Sequence, residues 1–205
     1  MKRTILALNA LFFLLAACSG DSGKTPGQQK REAAQQEEPV DAVDEDQAIL
    51  QLSAYLIAEP QNQAEKDQNA IVNYAIDQLI PLERSRTGLL YRIIEAGEGE
   101  KLKWGDYISV HYKGYFLDGR VFDSSYRRDK PLRFYIGNMI PGWNEGLQLI
   151  APGGRIQLFV PSALGYGEKG LPDGKEGFLV PPDTPLAFEV EAIEIVEGGS
   201  RREGQ

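Results

Sequence analysis

From Ile108 to Phe116 apolar and polar residues alternate, Asp118-Gly119 interrupts them, and Val121-Phe122 resumes the apolar run. Ile108, Val110, Tyr112 and Phe116 fall on one side and Ser109, His111 and Lys113 on the other, the two-residue period of a half-buried strand. Asp-Gly between two such runs signals a hairpin, because glycine tolerates positive φ and the Asp carboxylate can accept from the backbone across the turn. The returning strand, Val121 to Ser125, brings Phe122 and Asp123 close to Tyr112. A ring, a phenol and a carboxylate on the inner wall of a small sheet are the makings of a pocket. Whatever this chain folds into has to be built around that hairpin.

Composition removes several classes of chemistry. One histidine and one cysteine occur in 205 residues. A single cysteine cannot form an internal disulfide, and His111 with Cys18 cannot supply the three or four ligands of a zinc site, so no metal and no cofactor is expected. A Ser-His-Asp arrangement would need His111, which the strand period points away from the pocket face and places at the surface. The formal net charge is −8, the wrong sign for grasping a phosphate backbone, and no nucleic-acid partner is expected.

The first residues read Met1-Lys2-Arg3, then an apolar run from Ile5 to Leu15, then Ala16-Ala17-Cys18. Two positive charges, an apolar stretch too short to span a bilayer comfortably, and small residues at its end make residues 1–17 a signal peptide. Leu15-Ala16-Ala17-Cys18 resembles the bacterial lipobox, which implies that Cys18 carries lipid and becomes the first residue. Stable anchoring needs more than one acyl chain, and the resemblance implies a diacylated thiol. Ser19, not Asp, follows Cys18, resembling an outer-membrane sorting signal. The expected location is the bacterial cell envelope, at the outer membrane facing the periplasm. Residues 18–43 are rich in Gly, Ser, Gln, Pro and Glu and cannot offset the cost of ordering, so they read as a tether. Roughly 25 such residues have a root-mean-square span of about 28 Å.

Two helical patterns follow in residues 44–85. Asp44 and Asp46 precede Ile49, Leu52, Tyr55 and Leu56, and the run stops at Pro60; Ile71, Val72, Ala75, Ile76, Leu79 and Ile80 recur at helical spacing up to Pro81. Their stripes can pack on one another, on the domain that follows, or across a homodimer, and the sequence does not choose. Beyond Thr87 the signals are β: strands over Leu89 to Ile94, the central hairpin, Arg133 to Ile136, Arg155 to Val160 and Leu186 to Val196. One short helix, from Pro141 to Ile150, places Trp143, Leu147 and Ile150 on one face. A long Gly- and Pro-rich loop covers 162–185, and residues 198–205 read as a flexible tail. The fold class is α+β: an antiparallel sheet wrapped around one short helix, over residues 86–197, preceded by a small helical segment.

From about Arg86 to Val196 the sequence resembles the FKBP-type peptidyl-prolyl cis-trans isomerases. The matching segments are Val110-His111-Tyr112-Lys113-Gly114, Asp118-Gly119, Phe122-Asp123-Ser124-Ser125, Pro141-Gly142-Trp143 with Glu145-Gly146, Gly165-Tyr166-Gly167, Val180-Pro181-Pro182 and Leu186-Ala187-Phe188-Glu189-Val190. Each alone is weak, but their order and spacing are highly specific. The resemblance implies an apolar cup that holds a prolyl ring over the indole of Trp143, with walls from Tyr112, Phe122, Met139, Ile140, Val180, Leu132 and Phe188. It makes Asp123 and Tyr166 the polar members beside Trp143 and Phe188, and gives the backbone N–H near Ile140 to a substrate carbonyl. The partners it implies are Pro-containing unfolded or partly folded polypeptides and macrolide inhibitors. Leu132 stands where the family commonly has an aromatic residue, the loop before Met139 is shorter, and residues 167–178 are longer. Those departures bear on substrate preference and macrolide binding. The implied activity is rotation of Xaa-Pro bonds in exported proteins; the alternative is a non-catalytic chaperone or adaptor module that grips Pro-containing segments.

Overall fold

The computed structural model describes residues 45–196; the expected signal peptide, lipidated Cys18, the tether and the tail from 198 lie outside the described residues. The chain begins with α1 (Glu45–Ser53) and α2 (Gln63–Asp77). Next come β1 (Glu83–Arg84), β2 (Leu90–Glu95), β3 (Tyr107–Phe116), β4 (Val121–Ser124) and β5 (Leu132–Tyr135). A short helix, α3 (Pro141–Gly146), leads through a 3-10 turn to β6 (Arg155–Val160). The small strands β7 (Leu171–Pro172) and β8 (Phe178–Val180) precede the closing strand β9 (Leu186–Ile195).

β3 is the spine of the antiparallel sheet. The order is β1-β2-β6-β9-β3-β4, and β5 joins β3 beside β4, pairing with its first half while β4 pairs with its second. The expected turn forms as the Asp-Gly signal requires. Gly119 takes φ +86°, and Asp118 accepts from the Arg120 N–H at 3.0 Å. A bulge in β4 leaves Phe122 unpaired opposite the Gly114–Tyr115 step of β3, and bends β4 there.

α3 lies against the inner face of this curved sheet. It can do so because Gly142 and Gly146 face β6: a Cβ at Gly146 would stand 2.4 Å from a Leu158 methyl, and one at Gly142 2.7 Å from a Val160 methyl. Pro141 supplies the first-turn φ and lacks only an N–H that a helix start leaves unpaired. Trp143, Leu147 and Ile150 are thereby buried with Ile108, Val110, Ile156, Leu158, Val160 and Val190 in the inner core.

The outer face is covered as well. Leu52 of α1 and Ile71, Val72 and Ala75 of α2 are buried with Leu90, Tyr115, Phe159 and Ala187, residues of the opposite strand parity. Of the three packing options for the stripes, the chain takes the first two: the helices meet each other and the sheet. Each large apolar side chain so removed from water contributes roughly 1.5–3 kcal/mol.

Three helix boundaries differ from the pattern: α1 ends at Ser53, with Tyr55 and Leu56 beyond it, instead of running to Pro60. α2 starts at Gln63, where the Asn62 side chain accepts from the Glu65 N–H, and ends at Asp77 instead of running to Pro81. Leu79 adopts φ +52°, and the Ile80 N–H returns to the Ala75 carbonyl, closing the helix in the left-handed manner usually reserved for glycine. The long 162–185 loop also carries structure of its own, the β7–β8 hairpin. Asp173 holds its turn by accepting from the Lys175 and Gly177 N–H groups. No helix among the described residues is long and apolar enough to cross a membrane.

Candidate functional site

The cup assembles between α3 and the inner faces of β3, β4 and β9. Trp143, 2% exposed, forms its floor. Tyr112 and Phe188 meet the indole edge-on, at ring-centroid distances of 5.1 and 5.4 Å, and Phe134 approaches it at 5.7 Å. Phe122 stands perpendicular to Phe188 at 5.7 Å. Edge-to-face contacts of this kind fix the rings against one another as well as burying them. Glycine makes room for the arrangement: a Cβ at Gly114 would lie 2.8 Å from the Phe122 ring and 2.9 Å from that of Phe188.

The polar side of the cup is a three-residue network. The Tyr112 hydroxyl donates to one Asp123 carboxylate oxygen, and Arg128 donates to the other. Arg128 also donates to the Tyr112 hydroxyl oxygen at 2.7 Å, and the Ser124 N–H donates to Asp123 at 2.8 Å. Burial pushes the Asp123 carboxyl upward. The hydrogen bonds from Tyr112 and Arg128, with the guanidinium charge, outweigh that and hold it below the usual value. Burial first, and then the bond to Asp123, push the Tyr112 phenol up to about 12. The site therefore holds a carboxylate that stays ionised beside a phenol that stays protonated.

The structure brings together nearly all the residues expected at the site. Tyr112, Trp143, Val180 and Phe188 are buried in the inner core, and Phe122, Met139, Ile140, Leu132 and Tyr166 pack half-buried against it. Burial, and next the charge of Asp123, raise the Tyr166 phenol, which places it within reach of that carboxylate's field. Leu132 also lines a cavity of about 700 Å³ with Tyr107, Arg128, Lys130, Pro131 and Arg133. His111 is not the free surface residue expected. It is half-buried, with Nδ1 3.0 Å from the Ser125 hydroxyl and its ring stacked on Tyr126 at 4.7 Å. Ser125 draws it in because its hydroxyl also accepts from the Tyr112 N–H, at the hairpin's edge.

Sequence reasoning missed Asn144. Its carboxamide oxygen accepts from the N–H groups of Gly137 and Met139 at 2.8 and 3.2 Å, and its nitrogen donates to the Met139 carbonyl at 2.6 Å. The segment leading to α3 is thus held from within, and the Ile140 N–H finds no acceptor among the described residues. A buried carboxamide next to the floor indole was the available signal, since such a group demands partners. The Trp143 indole N–H is likewise buried without an acceptor among the described residues. No group of three or more His, Cys, Asp or Glu side chains suited to a metal ion occurs among them.

A rigid aromatic cup with a few fixed polar groups defines a binding site for a small apolar ring carried on a polar backbone. The family described as FKBP-type peptidyl-prolyl cis-trans isomerase matches residues 98–193. The FKBP-type isomerase FkpA of Escherichia coli K12 is 44% identical over 114 residues, 56% of this chain and 40% of that protein. The crystal structure of FkpA from Escherichia coli superposes with a TM-score of 0.56 at 35% identity, covering 73% of this chain and 62% of FkpA. AtFKBP13 is 35% identical and superposes with a TM-score of 0.52 over 56% of this chain and 98% of its own. The chain belongs to the FKBP-type peptidyl-prolyl cis-trans isomerase family. It spans about two fifths of the length of the curated FkpA relative.

Proposed function

We propose that this chain is a peptidyl-prolyl cis-trans isomerase that assists the folding of exported proteins from a lipid anchor on Cys18. The observation that carries the reading is the floor of the cup, a buried indole ringed by edge-on aromatics and flanked by the Tyr112–Asp123–Arg128 network. The reaction breaks no covalent bond. An Xaa-Pro amide rotates against a barrier of about 18–20 kcal/mol, which takes tens to hundreds of seconds unaided. Twisting the bond removes its double-bond character and makes the amide less polar. A dry apolar cup therefore binds the twisted form better than the planar one. A ~10⁴-fold acceleration asks for about 5.5 kcal/mol of such differential binding.

In this reading Trp143 seats the prolyl ring, with Tyr112, Phe122, Val180 and Phe188 as walls. The Ile140 N–H and the Tyr166 hydroxyl hold the carbonyls flanking the proline. Asp123 acts by its field and by fixing Tyr112, because no proton has to move. A second reading, a module that grips Pro-containing segments with little turnover, is favoured by Phe178, 50% exposed, and by Leu179, also exposed, both leading into the cup-lining Val180. A homodimer through residues 44–85 would use the rim of α1, where Leu50 is 73% exposed, since the α2 stripe is buried within the chain.

The test is the isomerisation rate of an Xaa-Pro peptide, measured by exchange spectroscopy on the full chain with and without rapamycin. Fast exchange that rapamycin blocks supports the enzyme and its macrolide site; a folded chain without turnover sinks it and leaves the gripping module. Release from the membrane fraction on Cys18→Ser tests the anchor, and fractionation of the wild type between inner and outer membranes tests its address.

A further inference from the structure

One buried carboxylate lies well away from the polar network of the cup. Asp67, on α2, is 2% exposed. One of its oxygens accepts from the backbone N–H of Ser162 at 2.7 Å, and the other accepts from the Gln63 carboxamide at 2.7 Å. A carboxylate taken out of water costs free energy unless its hydrogen bonds are replaced, so this one is present for what it holds.

What it holds is the root of the loop that carries Tyr166. Ser162 opens a 3-10 turn, closed by the Leu164 N–H on the Pro161 carbonyl and the Gly165 N–H on the Ser162 carbonyl, and Tyr166 follows directly. The same helix reaches the other end of that loop: the Gln63 carboxamide donates to the Asp183 carbonyl at 3.2 Å. The Asp183 N–H in turn donates to the Gly167 carbonyl at 2.9 Å, next to Tyr166. Asp183 sits there with φ +52°, the left-handed turn conformation that Asp tolerates better than most residues. Two side chains one helical turn apart on α2 therefore clamp both ends of the segment from Ser162 to Asp183, which brings Tyr166 and Val180 to the cup.

We propose that α2 is part of the catalytic apparatus, with Asp67 and Gln63 as positioning residues that set the Tyr166 loop against the cup. The inference rests on the reading of Tyr166 as a contact to the twisting amide. Displacement of a catalytic contact by a remote substitution can cost up to about a hundredfold in rate; loss of one clamp arm is expected to cost Asp67→Ala about tenfold in kcat/KM, mostly in kcat. Asp67→Asn keeps an oxygen acceptor for the Ser162 N–H and restores most of the rate.

The experiment is a cycle of Asp67→Ala, Tyr166→Phe and the double variant in the full chain, read as kcat and KM on an Xaa-Pro peptide, with a thermal melt of each. If Asp67 acts through Tyr166, the double variant is no slower than the slower single one. If Asp67 merely fastens α2 to the sheet, the two losses multiply, or Asp67→Ala melts lower at unchanged kcat; either result overturns the proposal. A Tyr166→Phe protein with wild-type kcat overturns the role of Tyr166 and, with it, the clamp. Should Asp67→Ala fail to fold, Gln63→Ala, which removes the arm to Asp183 and the bond to Asp67 but leaves Asp67 on the Ser162 N–H, enters the same cycle with the same two outcomes.

Discussion

The two faces of one sheet are buried in different ways. On the outer face, Ile71, Val72, Ala75 and Leu52 close over Leu90, Phe159 and Ala187, apart from the half-buried fringe of an ordinary core. On the inner face the rings of Tyr112, Phe122, Trp143 and Phe188 meet edge-on, and two N–H donors, the Trp143 indole and the Ile140 backbone, lack acceptors among the described residues. A face of closed apolar packing adds stability and asks for no ligand. A buried donor left unpaired, as the Trp143 indole N–H is, costs stability that such packing does not return. The strands make both possible because alternate side chains point to opposite sides, so Leu158 serves one core and Phe159 the other.

The largest effect that would break this division lies on the outer face. Phe159 is fully buried beneath α2, with the Tyr74 ring 5.9 Å away. Phe159→Ala should cost about 3–5 kcal/mol in stability, and Ile71→Ala about 2–5 kcal/mol, read from denaturant midpoints. Below their melting temperatures both variants should keep near-wild-type KM for an Xaa-Pro peptide. A large rise in KM at full folding would show that the outer core shapes the cup directly. On the inner face the balance should reverse. Asp123→Asn is expected to lower kcat/KM about tenfold, equivalent to ~1.4 kcal/mol of transition-state stabilisation, while shifting Tm little because the ion pair with Arg128 is half exposed. Wild-type rates in Asp123→Asn would remove the network from the mechanism.

Much of this division is legible in the amino-acid sequence. The hairpin declares itself through period and Asp-Gly, and Arg128 or the Tyr112 hydroxyl is readable as a partner for Asp123 because a carboxylate beside Phe122 needs one; the fold uses both. The covering of the outer face is not: Leu158-Phe159-Val160 is apolar without a break, which allows a strand buried on both sides, but the helical stripes of 44–85 do not say what they pack on. Other features leave too little trace. β7 and β8 span two and three residues, too short to show any period. α2 begins eight residues before Ile71 because its first two turns are mainly polar, and only Asn62 with Glu65 marks the start. Asn144 and Asp67 are hidden for a different reason. Each acts on backbone groups that only the folded chain brings near, and Asp67 and Ser162, 95 positions apart, carry no mark of that bond in the sequence.

The smallest expected effect is the sharpest statement about chemistry. Asp123 has a folded pKa below its ordinary one, so the native state prefers the carboxylate, and what that preference contributes is present above the unfolded pKa and lost as pH falls through the lowered value. Tyr112 is shifted the other way, to about 12, so its protonated form persists past the ordinary tyrosine range and its contribution fades only as pH rises toward that value. Between roughly pH 5 and pH 9 neither group changes charge, and rotation of an amide asks for no proton, so kcat/KM should stay level over that window. Loss of rate should begin only at the acid end, and Asp123→Asn should remove the part of it that belongs to the cup. The measurement is a pH series on one neutral Xaa-Pro peptide, wild type against Asp123→Asn. A bell with a limb near neutrality would mean that proton transfer takes part in the rate-limiting step, and the inner face would then have to be reread as an acid–base site instead of a dry cup.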